Sequence, residues 1–263
     1  MADRPIRLWQ WPNVLGLDAA AIAMAWLGVF ASQVRAPEQP GAAPYIVLGL
    51  SVWLTYLADR LSDVSGRPTE ALLSIRHRFA KAYSPRLWAA WSVLLTIAVL
   101  TAVCCLQAFQ LKAGFLLLVV CLIYTLLNQR LAKHFFPKEV FVAAIFAAGT
   151  QVFLSTPRLD LPVIGLALLC LTNCLVIAER ERGVDASLRV HSLARHLSAP
   201  GLRVLIGLTC GLAAYSQLRL ALLPPGIALA LLFQRRSFIP VESFRVLCDA
   251  SLLLGPISYA VFS

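Results

Sequence analysis

An all-α bundle embedded in a membrane is the fold class that this sequence predicts, and three observations predict it. First, 59% of the 263 residues are hydrophobic and only 14% are charged, with a mean hydropathy of +0.76. A soluble domain carries roughly 25% charged residues, and one of this size still exposes about a quarter of its unfolded surface. The surplus apolar surface must therefore face lipid. Second, the apolar residues form continuous Leu/Ala-rich runs, whereas closed β-barrels need alternating strands of about ten residues. Third, Lys and Arg alternate between the loops that separate these runs. Together the observations exclude a soluble enzyme and an all-β secreted module. The net charge of +10 becomes a topology signal, and no nucleic-acid partner is expected.

A window of about 20 residues yields nine crossings in a single transmembrane domain covering residues 1–263. The first runs over about 14–33, after a Trp-rich entry at Trp9, Trp11 and Pro12. That entry lacks a small-residue cleavage site, so no cleavable leader is expected. The next three lie at about 44–58, 87–107 and 113–128, closing a first unit over 14–128. A second unit over 139–233 holds runs at about 139–155, 161–178, 202–217 and 219–233. Within it, Gly207 and Gly211 give a small-x-x-x-small spacing for close helix packing, and the last run carries Pro224-Pro225. The ninth crossing spans about 244–262. The seven cysteines lie inside apolar runs without C-x-x-C spacing and read as small packing hydrophobes.

The N-terminus and the loops after runs 2, 4, 6 and 8 hold 19 Lys/Arg, against 4 in the remaining loops. That alternation predicts a cytoplasmic N-terminus and an external C-terminus, in the inner (cytoplasmic) membrane. Of the 13 acids, nine sit on the same side as the cations, Glu38 and Asp160 lie opposite, and Asp18 and Asp249 fall within runs. Positive-inside topology does not account for carboxylates gathering among the cations.

Those carboxylates form two stations. Run 2 ends in Tyr56-Leu57-Ala58-Asp59-Arg60-Leu61-Ser62-Asp63, and run 6 in Ala178-Glu179-Arg180-Glu181-Arg182-Gly183-Val184-Asp185. Both contain Ala-acid-Arg, offset by 120 residues, which points to two copies of a four-helix unit with a site between them. Asp59 and Asp63 share one helical face, as do Glu181 and Asp185. Opposed across a cavity, such faces would hold a hard cation, and Mg²⁺ suits one or two carboxylates plus substrate phosphates. The alternative is an interfacial charge cluster, salt-bridged to neighbouring Arg. Basic residues stand nearby: Arg76, Arg78 and Lys81 after run 2, Arg130, Lys133 and Lys138 after run 4, and Arg189 and Arg195 after run 6. Arg forks and Lys point charges grip phosphate oxygens. Divalent-metal carboxylates beside phosphate-binding cations, at the mouth of an apolar bundle, describe a diphosphate head on a lipid tail.

On these residues the chain resembles the UbiA superfamily of intramembrane prenyltransferases, in a divergent, poorly characterised branch. The likeness covers nearly the whole chain, with nine helices, two acidic motifs, and Tyr124 and Asn128 before a basic loop. The family's first motif reads approximately Asn-Asp-x-x-Asp-Arg-x-x-Asp. Asp59, Arg60 and Asp63 match its second half, while Thr55 and Tyr56 replace its leading Asn-Asp. The second motif, usually Asp-x-x-x-Asp, is framed either from Glu179 to Gly183 or from Glu181 to Asp185. The resemblance implies Mg²⁺ on Asp59, Asp63, Glu179, Glu181 and Asp185, which form the expected catalytic and metal set. It implies an isoprenoid diphosphate held by Arg60, Arg76, Arg78, Lys133, Arg180, Tyr124 and Asn128. The reaction it implies is transfer of the prenyl chain to a small-molecule or lipid acceptor.

Two other classes compete. A polyprenyl-lipid binding protein on the same scaffold would explain the lost Asn-Asp. A transporter would use Asp18 and Asp249 for coupling. Both acids are intramembrane and so are candidates for function or for an ion pair, with Arg245 as a partner for Asp249. The sequence carries no signal for oligomeric state.

Overall fold

The computed structural model describes residues 6–34, 38–131, 137–187 and 193–263. Each predicted run is met by a helix or a broken pair of helices. The first is a broken pair, α1 (Trp11–Leu15) and α2 (Leu17–Ala31), with axes bent by 78°. Gly16 makes the bend with φ of 74°, a left-handed conformation that costs an L-residue about 1–2 kcal/mol. The chain continues through α3 (Ala42–Val64), α4 (Ile75–Ala82), α5 (Ser84–Cys105), α6 (Ala108–Leu131), α7 (Lys138–Gly149) and α8 (Leu161–Arg180). It ends with α9 (Arg182–Ser187), α10 (Ala199–Tyr215), α11 (Arg219–Arg235), α12 (Val241–Ser251) and α13 (Leu254–Phe262).

Among the described residues, five helical spans are long and apolar enough to cross a bilayer, or six with the bent α1/α2 pair. The α7, α10 and α11 helices, of 12, 17 and 17 residues, fall short of that length. An integral membrane protein with an all-helical fold follows; the nine predicted crossings include helices too short to establish that number by length.

The bundle is arranged around α8, which packs on α7, α10, α11 and α12, while α3 packs on α2, α4 and α5. Helix α8 is buried along most of its length, whereas α5 and α6 carry exposed Val93, Leu100, Val103, Phe115, Leu116 and Leu122. Such continuous apolar exposure is what a lipid-facing helix presents. The core runs from Trp26 and Leu27 on α2 through Leu166 and Leu169 on α8 to Leu229 and Phe233 on α11.

Two breaks in the helical ladder meet one another. Pro225 has no N–H for the Ala221 carbonyl, four residues earlier, and Gly255 of α13 lies against that oxygen. A Cβ at Gly255 would stand 2.3 Å from Ala221 O and 2.8 Å from the Trp26 ring. Trp26, fully buried, donates its indole N–H to the Leu252 carbonyl at 3.2 Å, at the break between α12 and α13.

Candidate functional site

The first acidic station occupies one stripe of α3. Ser51, Thr55, Asp59 and Asp63 follow at i,i+4 spacing, the spacing that places side chains above one another on a helix. Asp59 is exposed, although it lies deep among protein charges, with Lys138, Arg60 and Arg76 within electrostatic reach. Asp63 shares the field of Asp59, Lys138, Arg67 and Arg76, and its Oδ2 lies 3.9 Å from His77 Nε2. Burial, reinforced by Arg76, Arg60 and Arg67, pushes the His77 pKa down to about 3. The imidazole is therefore neutral, and its contact with Asp63 is not an ion pair.

Arg60, expected to meet substrate, is turned elsewhere. It is buried and donates to the carbonyls of Val14 and Asn13. They lie in the last turn of α1, which ends at Gly16, and the Asn13 carbonyl also accepts from the Gly16 N–H at 3.1 Å. Arg60 thus pins the α1/α2 break to α3, one residue from Asp59.

The second station divides. Residues two apart on a helix point about 200° apart, and Glu179 and Glu181 find different partners. Glu179 faces Arg236 Nε at 3.6 Å, beyond the end of α11. Glu181, 5% exposed on its side chain, takes Arg245 Nη1 at 2.6 Å and Arg76 Nη2 at 3.2 Å. Arg180 donates to the Ile239 carbonyl at 3.1 Å. Asp185 and Asn128 lie on α9 and α6, with side chains outside the described residues, as is the whole of Lys133. Arg78 is half-buried on α4.

Arg76 connects the stations. It is buried, donates Nη2 to Glu181 and lies within electrostatic reach of Asp59 and Asp63. Its Nη1 is buried without a hydrogen-bond partner. A buried guanidinium nitrogen with nothing to donate to is costly, and an anion beside it removes the cost. Tyr124, stacked on Phe141 at 6.0 Å, faces the same region, with Asp59, Glu139 and Cys174 within electrostatic reach.

Next to these stations lies a polar network, of which the sequence predicts the Arg245–Asp249 pair and not the amides that join it. Asn13 Nδ2 donates to Asp18 Oδ2 at 2.6 Å and to Asp249 Oδ2 at 3.0 Å. Asn173 Nδ2 donates to Asp249 Oδ1 at 3.0 Å. Arg245 Nε lies 3.8 Å from Asp249 Oδ2, which links this network through Glu181 to Arg76. Asn13 and Asn173 left a usable signal, since an amide in an apolar helix requires a partner.

Among the described residues, no group of three or more His, Cys, Asp or Glu stands ready to hold a metal ion. The donor chemistry at Asp59 and Asp63 nevertheless fits Mg²⁺, which takes oxygen ligands and completes its shell with water and phosphate. Glu181 is already held by two guanidinium groups, so it positions Arg76 and Arg245 as this structure stands.

No family model and no curated protein matches the chain. Among solved structures, the apo structure of a UbiA homolog from Aeropyrum pernix K1 matches with a TM-score of 0.64 and 14% identity, over 94% of this chain and 98% of that one. The fold of this chain is that of the UbiA homolog.

Proposed function

Starting from that shared fold, we propose that this membrane protein is a UbiA-type prenyltransferase. It would transfer an isoprenoid chain from its diphosphate to an acceptor in a Mg²⁺-dependent reaction. The observation that carries the reading is Arg76 Nη1, a buried unpartnered donor within electrostatic reach of the Asp59 and Asp63 pair. A guanidinium donor within reach of two accessible carboxylates suits a metal-bound diphosphate.

Asp59 and Asp63 would hold Mg²⁺, which supplies charge neutralisation to the diphosphate when bound. Arg76, fixed by Glu181, donates to a diphosphate oxygen and stabilises the negative charge that grows there as the C–O bond breaks. Lys138 adds a second positive charge near Asp59 and Asp63. The apolar bundle receives the prenyl tail, where each buried CH₂ contributes about 0.8 kcal/mol. It also keeps water from the electron-deficient allylic carbon. The orientation argued from the Lys/Arg asymmetry puts this mouth on the cytoplasmic side, where the charged substrate is in water.

The test is pyrophosphate release by the purified protein from geranylgeranyl diphosphate with a panel of nucleophilic acceptors. Mg²⁺-dependent release that Asp59→Asn lowers by orders of magnitude supports the reading.

A second reading is a protein that holds a polyprenyl diphosphate without reacting it. It is favoured by Tyr56 in place of an expected carboxylate and by the two arginines that occupy Glu181. Saturable diphosphate binding without release across the panel separates the two.

A further inference from the structure

We propose that Asp18, Asp249 and Asn173 form a subsite for a cationic nitrogen, a primary ammonium group carried by the acceptor. That the ligand is an acceptor rests on the prenyltransferase reading; the subsite itself rests on geometry. Asp249 Oδ1 accepts from Asn173 Nδ2 and Oδ2 from Asn13 Nδ2, both at 3.0 Å. Asp18 Oδ2 accepts from Asn13 Nδ2 at 2.6 Å, and Oδ1 from the Ala19 N–H at 2.9 Å. Every donor here is a neutral amide.

Charged hydrogen-bond donors are short by comparison. Arg245 stands 3.8 Å from Asp249 through Nε, but its Nη1 is given to Glu181 at 2.6 Å. Arg60 is within electrostatic reach of Asp18, yet its two terminal nitrogens are spent on the carbonyls of Val14 and Asn13. Neither guanidinium donates a hydrogen bond to either carboxylate, and within a bundle that faces lipid a carboxylate held by neutral donors is expensive.

The independent observation is Asn173. Its side chain sits on α8 at 5% exposure, turned toward Asp249 by the Nδ2 hydrogen bond, and its Oδ1 has no hydrogen-bond partner. A buried unpartnered acceptor is costly. Beside it, the carboxylate oxygens keep spare lone pairs. The cluster thus presents acceptors and a negative charge, and the nearby donor Arg245 Nε, itself buried and unpartnered, stays 3.8 Å from Asp249 Oδ2, outside hydrogen-bond distance. An ammonium group supplies three donors and the charge together. A metal ion bridging the two carboxylates fits poorly, because Asn13 Nδ2 already stands within hydrogen-bond distance of both.

The subsite is reachable and adjoins the proposed diphosphate position. Asp18 and Asp249 both retain accessible surface. Tyr56 on α3 is within electrostatic reach of both, and it lies one helical turn from Asp59. An acceptor anchored through its ammonium group would thus have its remaining atoms directed along α3 toward the allylic carbon. The ammonium is the anchor; a different atom of the acceptor is the nucleophile.

The test uses the full chain in detergent micelles, with hexylamine and its neutral counterpart hexanol as probes, no isoprenoid diphosphate, and empty micelles as blank. Calorimetric titration should give saturable hexylamine binding at least tenfold tighter than hexanol. Asp249→Asn should weaken hexylamine at least tenfold. Asp18→Asn, which leaves Asn173 on Asp249, should weaken it several-fold as well; a purely structural role for Asp18 leaves hexylamine binding unchanged. If Asp249→Asn does not fold, Asp18→Asn decides. Equal binding of amine and alcohol, or hexylamine binding indifferent to both substitutions, overturns the subsite. Amine binding as described, with no pyrophosphate release from any amine-bearing acceptor, leaves the subsite standing and removes the transferase reading. Pyrophosphate release without amine binding does the reverse.

Discussion

Arg76 of α4 and Glu181 at the end of α8, 105 residues apart in sequence, meet at 3.2 Å in the interior of the protein. The contact ties a short helix at the mouth of the bundle to its central helix. It also leaves Arg76 Nη1 unpartnered and within reach of the Asp59 and Asp63 pair. One arginine therefore joins the two acidic stations, a role that neither motif declares.

Arg76→Gln removes the guanidinium but leaves Glu181 with Arg245. Hydrogen bonds to charged groups contribute about 1.5–3 kcal/mol, so diphosphate affinity should fall by roughly 10- to 150-fold while the protein still folds. Titration of a non-hydrolysable isoprenoid thiolodiphosphate measures this. Unchanged affinity would remove Arg76 from the substrate site.

The two glutamates of the second station should behave differently. Glu181→Gln loosens both Arg76 and Arg245 and should lower pyrophosphate release at least tenfold. Glu179 faces Arg236 outside the network, so Glu179→Gln should change release less than twofold. Equal losses in the two variants would show that both acids act at the same centre.

Arg60→Lys should destabilise the fold, because an ammonium does not reproduce the guanidinium fork across the Val14 and Asn13 carbonyls. A cost of about 1–3 kcal/mol should appear as a lower melting temperature in detergent. An unchanged melting temperature would mean that the α1/α2 break is held by other contacts.

Gly255→Ala places a methyl group 2.3 Å from the Ala221 carbonyl and 2.8 Å from the Trp26 ring. Overpacking of this kind costs about 1–3 kcal/mol, and the same melting measurement reads it. Wild-type stability in this variant would contradict the close approach of α13 to α11.

The helices were legible because apolar runs of this length have few other uses, and each run from 14–33 to 244–262 contains a helix or a broken pair. The breaks were less so. The bend at Gly16 depends on one residue adopting a positive φ, which an apolar window averages away. Helix α4 has the sequence of a basic loop, since it is amphipathic and stands on tertiary contacts of Arg76, His77 and Ala80. Asp59 and Asp63 could be read as sharing a face from their spacing alone. The frame of the second motif was not readable, because Glu179 and Glu181 are equivalent in sequence and differ only in what faces them. Asn13 and Asn173 belong to segments 160 residues apart, and only the fold brings both to Asp249.

The central claim is that Asp59 and Asp63 form a Mg²⁺-dependent diphosphate site. Binding of geranylgeranyl thiolodiphosphate to the wild-type protein and to Asp59→Asn, with and without Mg²⁺, tests it most directly. The account predicts that Mg²⁺ tightens wild-type binding at least tenfold and that Asp59→Asn abolishes this enhancement. Mg²⁺-independent binding in the wild type, or the same Mg²⁺ enhancement in Asp59→Asn, would contradict it.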